Sequence, residues 1–196
     1  GDITFTTIGG KPPAGICGSG LIDLIAVLLR AGVLTPSGRF AKDEALAGVP
    51  ALRARVVRRG RLASFVLAEA GADGKPVELT QGDVREVQLA KGAIAAGIEL
   101  MCATLGAKPA DIRRVFLAGA FGNYMDAASA VAIGMLPPLE LSRVAAIGNA
   151  AGAGAQLCAL SEAEFRRCGR LARETEFLEL ALHPQFQKTF IARLDF

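Results

Sequence analysis

Two stretches of this chain put minimal side chains where a ligand could reach the backbone. They are VFLAGAFGN, residues 115–123, and VAAIGNAAGAGA, residues 144–155. Each reads as a short apolar strand that stops at a glycine and re-enters a helix near an asparagine. In open α/β sheets, ligands bind outside the carboxyl ends of the strands, at turns of this kind. Glycine lets a flat ring or a phosphate approach the main chain, and a helix N-terminus favours an anion. Tight strand–helix packing would ask for the same small residues. Neither turn matches a P-loop or a clean G-x-G-x-x-G fingerprint.

Other groups offer less. GICGSG, residues 15–20, is a third glycine loop leading into a helix, where a tight turn is the plainer reading and an anion site the sharper one. Cys17 within it is a weak nucleophile candidate, because the one histidine, His183, is far away in sequence. Gln88 and Lys91 lie one turn apart on one face of a long predicted helix. The lysine either snorkels to the surface or faces a cleft and meets a nucleotide. Five arginines fall in nine positions, 53–61, without interleaved aromatics, which reads as a solvated strand or loop rather than a single-stranded nucleic-acid site. Asp126 reads as a helix cap. No aspartate stands in the strand-Asp-x-Gly setting that phosphoryl transfer uses for Mg²⁺. Cys17, Cys102, Cys158 and Cys168 lack zinc or iron–sulfur ligand spacing and read as small buried apolar side chains.

The elements that must position these residues follow from periodicity and punctuation. Residues 3–9 alternate apolar residues with threonine and predict a strand. A mostly buried helix is predicted over 19–31, with Ser19 as N-cap and Gly32 at its C-terminal end. Residues 35–60 look mixed and exposed. Strands at 64–69 and 76–80 flank Asp73-Gly74, a hairpin turn. The longest helix starts at Thr80, with Asp83 completing its cap, and ends at Gly106; its second half is small and apolar, which predicts burial on most sides. Strands follow at 112–119, read as central, and at 143–149, with a helix at 150–160. A last strand is predicted over 172–180 and a helix over 183–194. Alternating strands and helices after a hairpin give an α/β class with a mixed sheet flanked by helices.

Totals set outer bounds. With 196 residues there is room for one good core or two small lobes. Apolar residues make up 52% and charged residues 21%, which excludes disorder. A net charge of +3 is too weak to argue for nucleic acid. The opening residues lack a basic and apolar leader pattern. The uncharged run 144–161 is long enough to raise a membrane span, but its glycines, Asn149 and Gln156 point to a buried loop and helix.

Five segments in order carry a resemblance: GICGSGLIDLIAVLLRAGVL, LTQGDVREVQLAKGAIAAGIELM, VFLAGAFGNYMDAASAVAIGMLP, IGNAAGAGA and FQKTFIARLDF. Together they resemble the C-terminal region of the reductive activators of corrinoid proteins, members of the acetate-and-sugar-kinase, heat-shock and actin (ASKHA) superfamily. The resemblance runs from about Gly15 to Phe196 and is weakest across 36–64. It implies a ribonuclease-H-like, actin-like ATPase lobe: a single C-terminal part of an ASKHA-type domain over 1–196, with 35–80 a peripheral insertion and 81–196 the adenosine-side core.

The resemblance also implies function. Full-length members use ATP, with Mg²⁺, and an N-terminal 2Fe–2S domain to return a Co(II) corrinoid methyl-transfer protein to Co(I). Gly119, Ala120, Gly122 and Asn123 would sit against adenosine, with Gly148 and Asn149 nearby and Gln88 and Lys91 against adenine or ribose. The superfamily's phosphate loops and the cluster cysteines are missing from this sequence, so it is expected to act as one side of a cleft, without ATP hydrolysis of its own and with no catalytic or metal residue to name. A corrinoid protein is the implied partner and a homodimer is compatible; nucleic acid and membrane are not expected, and the implied location is cytoplasmic. The alternatives are a docking or dimerisation module, its arginines meeting an acidic corrinoid protein, and a kinase-like phosphotransferase lobe.

Overall fold

A computed structural model describes residues 2–196, and at Ala120, Phe121 and Asn123 the backbone only. Helix α1 (Gly18–Arg30) is capped by Cys17, whose Sγ accepts the Gly20 N–H at 3.4 Å. Ser19 is thereby inside the helix rather than its cap. Cys17 holds the extended backbone that a cap needs, three residues before the amide it satisfies. The helix closes in a Schellman turn. Val33 N–H reaches the Leu28 carbonyl at 2.8 Å and Gly32 N–H reaches Leu29 at 3.0 Å, with Gly32 at φ 70°.

Residues 35–60 do more than their composition suggests. Phe40 joins Ile22, Ile25 and Leu28 of α1 in the main core, and so do Leu46 and Leu52. They do so through a 3₁₀ turn and the short helix α2 (Pro50–Ala54). Strand β1 (Val56–Arg59) emerges from the arginine run and pairs antiparallel with β2 (Leu62–Ala68), which pairs antiparallel with β3 (Val77–Thr80). The hairpin turn falls at Asp73-Gly74, as its chemistry predicts, with Gly74 at φ 78°. Phe65, Leu67 and Leu79 drive this sheet into the same core.

Helix α3 (Gln81–Thr104) opens with the expected capping box. Thr80 Oγ1 accepts the Asp83 N–H at 3.2 Å, and Asp83 Oδ2 accepts the Thr80 N–H at 2.8 Å. Gly106 follows its end at φ 67°. Its second half is buried on one face only: Ala96, Gly97 and Leu100 are inside, while Ile94 and Met101 are exposed. By length and composition α3 could cross a membrane. Its buried face is packed against the rest of the chain, the behaviour of a core helix.

Beyond α3, β4 (Val115–Ala118) leads into α4 (Gly119–Tyr124) and α5 (Ala127–Ala132). Asp126 caps α5 by accepting the Ser129 N–H at 2.9 Å, which holds its carboxyl below the usual range. Strand β5 (Val144–Gly148) lies parallel to β4 and feeds α6 (Ala150–Leu160). Helices α7 (Glu162–Glu174) and α8 (Phe186–Ala192) complete the chain, α7 on α6 and α8 on α3. The parallel and antiparallel strands thus fall in two sheets, one of three strands and one of two.

Several expectations fail here. Residues 3–9 form extended chain and a 3₁₀ turn, because their alternation finds no ladder partner among the described residues. Residues 172–180 form no strand: α7 runs on to Glu174, and a 3₁₀ turn follows at Leu180–Leu182. Strand β4 is not central, having β5 as its one partner among the described residues, and Phe116 is 56% exposed. The run 144–161 is not buried: no residue of α6 is buried. The cysteines are not buried either, since Cys17 and Cys168 are exposed and Cys102 and Cys158 half-buried.

Candidate functional site

The parallel pairing of β4 and β5 brings the two glycine turns together. In the register, Ala118 faces Gly148, so both chains leave the sheet at the same edge. Gly119 has φ 86° and Gly148 has φ 64°, both in the left-handed region. Among the described residues, a Cβ built on either would meet nothing within 4 Å, which leaves the backbone there open on the described side. The short helix α4 packs on both strands behind this edge.

The neighbouring small residues divide into two kinds. Gly122 is buried, and a Cβ there would stand 3.1 Å from Leu117; it is a packing glycine. Asn149 caps α6: its Oδ1 accepts the Gly152 N–H at 3.0 Å. Gly152 is required under that cap, because a Cβ would meet the Asn149 side chain at 2.5 Å. For Ala120 and Asn123, the proposed adenosine contacts by side chain lie outside the described residues.

Gln88 and Lys91 are 4% and 1% exposed, and each already has an occupation. Gln88 lies against Gly38, where a Cβ would meet its carboxamide at 2.6 Å. The Lys91 ammonium donates to the Asp195 carbonyl and sits 5.3 Å over the Phe196 ring. Burial pulls its pKa down to about 8, against the pull of the Asp195 carboxylate. Neither side chain snorkels to solvent, and a nucleotide contact would require each to leave these partners.

Four of the five arginines in the run, Arg53, Arg55, Arg58 and Arg59, pair with acids within the chain. Arg55 donates to Asp2 and to the Leu67 carbonyl, Arg58 to Asp43, and Arg59 binds both oxygens of Glu78 at 2.9 and 2.8 Å. Arg59, with help from Ser64, holds the Glu78 carboxyl down to about 2. Sequence order hid this, because the acids lie 15 to 53 residues away.

A groove of about 820 Å³ lies elsewhere, between residues 3–16 and α1. Cys17 and Asp23 line it, and Asp23 Oδ1 is buried there without a hydrogen-bond partner among the described residues. One wall is the segment 3–7, which has no ladder partner among the described residues. The paired glycine turns, with matched register and left-handed backbone, make the better-defined site.

A family model described as the C-terminal domain of RACo, the ASKHA domain, matches residues 1–196. The chain belongs to this family. The chain is 42% identical over 198 residues to the corrinoid activation enzyme RamQ of Eubacterium limosum, covering 100% of this chain and 33% of that protein. It is 25% identical over 189 residues to the Co(II) methylated amine-specific corrinoid protein reductase of Methanosarcina barkeri, covering 95% of this chain and 30% of that protein. Among solved structures, a reductive activator for corrinoid, iron–sulfur protein superposes with a TM-score of 0.85 at 34% identity, over 98% of this chain and 30% of that one. This ASKHA domain therefore spans about a third of the length of the relatives it matches.

Proposed function

We propose that this ASKHA domain is the adenosine-side lobe of an ATP-dependent reductive activator, which returns corrinoid proteins of a methyltransferase system from Co(II) to Co(I). One observation carries the reading: two left-handed glycine turns stand side by side at the carboxyl edge of a parallel strand pair, with open space over their Cα atoms. The relatives' names, a corrinoid activation enzyme and a corrinoid protein reductase, support the activity. Gly119, Ala120, Gly122, Asn123, Gly148 and Asn149 form the proposed adenosine edge. Gln88 and Lys91 would join it only after giving up Gly38 and Asp195. Division of the chain into an insertion at 35–80 and a core at 81–196 belongs to the same proposal, with the qualification that the insertion shares the core.

The residues fit a nucleoside better than a whole nucleotide–metal complex. Among the described residues, no group of three or more His, Cys, Asp or Glu stands together. Donors for Mg²⁺ and for a 2Fe–2S cluster are accordingly assigned to the remainder of a longer protein. Bound ATP supplies the driving force for an uphill electron transfer; the residues here hold and orient its nucleoside. A cytoplasmic location follows from the same reading.

A second reading, a docking or dimerisation module, is favoured by exposed apolar residues on α6 and α7, among them Leu157, Leu160, Phe165 and Leu171. The arginines support it less, since Arg58 and Arg59 are already paired. The test uses full-length protein with Gly119→Val and Gly148→Val. Each variant is expected to lose affinity for a fluorescent ADP analogue and to lose ATP-dependent Co(I) formation in step. Unchanged nucleotide affinity in both would sink the adenosine edge. Steady phosphate release by the 196-residue chain alone would sink the one-sided cleft.

A further inference from the structure

The adenosine edge leaves one pair of reactive side chains without a role. Cys158 lies near the end of α6 and Cys168 in the middle of α7. Ser161 caps α7 and lets it fold back on α6, by accepting the Glu164 N–H. This return brings the two Sγ atoms to 3.1 Å, with the Cys158 thiol donating to the Cys168 sulfur. Cys168 is exposed and Cys158 half-buried. The other two cysteines have different surroundings: Cys17 meets Ser19 and Gly20, and Cys102 lies on α3.

The spacing selects among the chemistries open to two thiols. Two sulfurs on one tetrahedral zinc, with bonds of about 2.3 Å, would stand roughly 3.8 Å apart and would need further ligands. No such ligands gather here, as no group of three or more His, Cys, Asp or Glu exists among the described residues. A disulfide needs about 2.05 Å between sulfurs, an approach of about one ångström from the observed contact. That is within the reach of side-chain rotation at a surface.

We propose that Cys158 and Cys168 form a reversible dithiol–disulfide couple that reacts with low-molecular-weight disulfides and, when oxidised, staples α6 to α7. The exposed Cys168, which accepts the hydrogen bond, gives up its proton and attacks one sulfur of the small disulfide. A mixed disulfide forms and the first small thiolate leaves, to be protonated by solvent. Cys158 keeps its proton at this stage, the hydrogen bond to Cys168 having pushed its thiol up. It then loses that proton and attacks the Cys168 sulfur. The intramolecular bond forms and the second small thiol is released. Two protein thiols are oxidised and one small disulfide is reduced to two thiols, so atoms and electrons balance.

The proposal is independent of the nucleotide reading and is tested on the full chain. Reduced protein, freed of reductant, is incubated with oxidised glutathione, alkylated, and digested with trypsin. Cleavage after Arg166 and Arg167 separates the Cys158 peptide from the Cys168 peptide unless a disulfide joins them. Wild type is expected to yield these two peptides joined, with alkylation lost at both cysteines, retained at Cys102, and restored by dithiothreitol. Cys158→Ser is expected to stop at a glutathione adduct on Cys168, with far-UV circular dichroism unchanged. Alkylation retained at both positions in wild type overturns the proposal. So does equal joining of Cys168 to Cys17 or Cys102, or a Cys158→Ser protein without the adduct.

Discussion

The chain divides into a region that completes its own core and a region that does not. From α1 through the first half of α3, with residues 129–136, side chains such as Ile25, Leu46, Phe65, Leu79, Val84 and Ile133 are fully buried. From residue 137 onward, no described residue is buried. The second region is not polar, however. Ile147, Leu157, Leu160, Phe165, Phe177 and Leu182 are all exposed. Composition therefore does not separate the two; the availability of opposing surface does. An apolar residue contributes stability only when something covers it. The second region carries the Gly148 turn and the thiol pair, so chemistry sits where the packing is least self-contained.

The sharpest way to break this contrast is truncation on both sides. Phe65→Ala is expected to lose about 3–5 kcal/mol of stability in urea unfolding, the usual cost of a fully buried aromatic. Leu157→Ala should stay within about 0.5 kcal/mol, as exposed substitutions do. Equal losses would show that α6 is packed as firmly as the sheet.

Lys91 sharpens the first region. Its folded pKa of about 8 lies below the ordinary lysine value of 10.5. Between those values the unfolded chain holds more protons, so stability rises as pH increases from 8 towards 10.5 and falls again as pH drops through 8. A shift of this size corresponds to at most about 3 kcal/mol. Urea midpoints across that range would show the slope, and Lys91→Met should flatten it.

Gly148→Val tests a turn within the second region. The left-handed backbone at this position is expected to cost about 1–3 kcal/mol with a β-branched side chain. Gly154→Ala, on the exposed helix α6, is expected to be neutral or mildly stabilising. Thermal unfolding of the pair compares backbone strain with helix propensity in adjacent elements. Glu78 tests a surface ion pair of the first region. Its carboxyl, held at about 2 by Arg59, gives stability that is present above 4.5 and lost as pH falls towards 2. Glu78→Gln should remove that part of the acid sensitivity.

What could be read from the sequence follows how local each signal is. The Thr80–Asp83 box, the Gly32 turn, the Asp73-Gly74 hairpin and the Asn149 cap all close within a few residues, and all are present. Helix α7 also had a local signal: Ser161 three residues before Glu164, and a Glu162–Arg166 pair one turn apart. The alternation in residues 172–180 obscured it. Residues 3–9 could not be settled this way, because a strand exists only through its partner. The occupations of Gln88, Lys91 and the arginines were equally hidden, since each depends on residues brought close only by the fold. For the proposed adenosine edge, the two glycine turns could be read singly; their adjacency came from the β4–β5 register.

The contact between Lys91 and Asp195 spans 104 residues. A ribosome therefore delivers the lysine long before its acceptor. Throughout that interval nascent α3 carries a charged group on the face that α8, Asp195 and Phe196 will cover. The seam can seal only when Asp195 and Phe196 are out. A nascent chain that stalls before Asp195 would hold the Lys91 ammonium in that seam without the carbonyl that accepts from it.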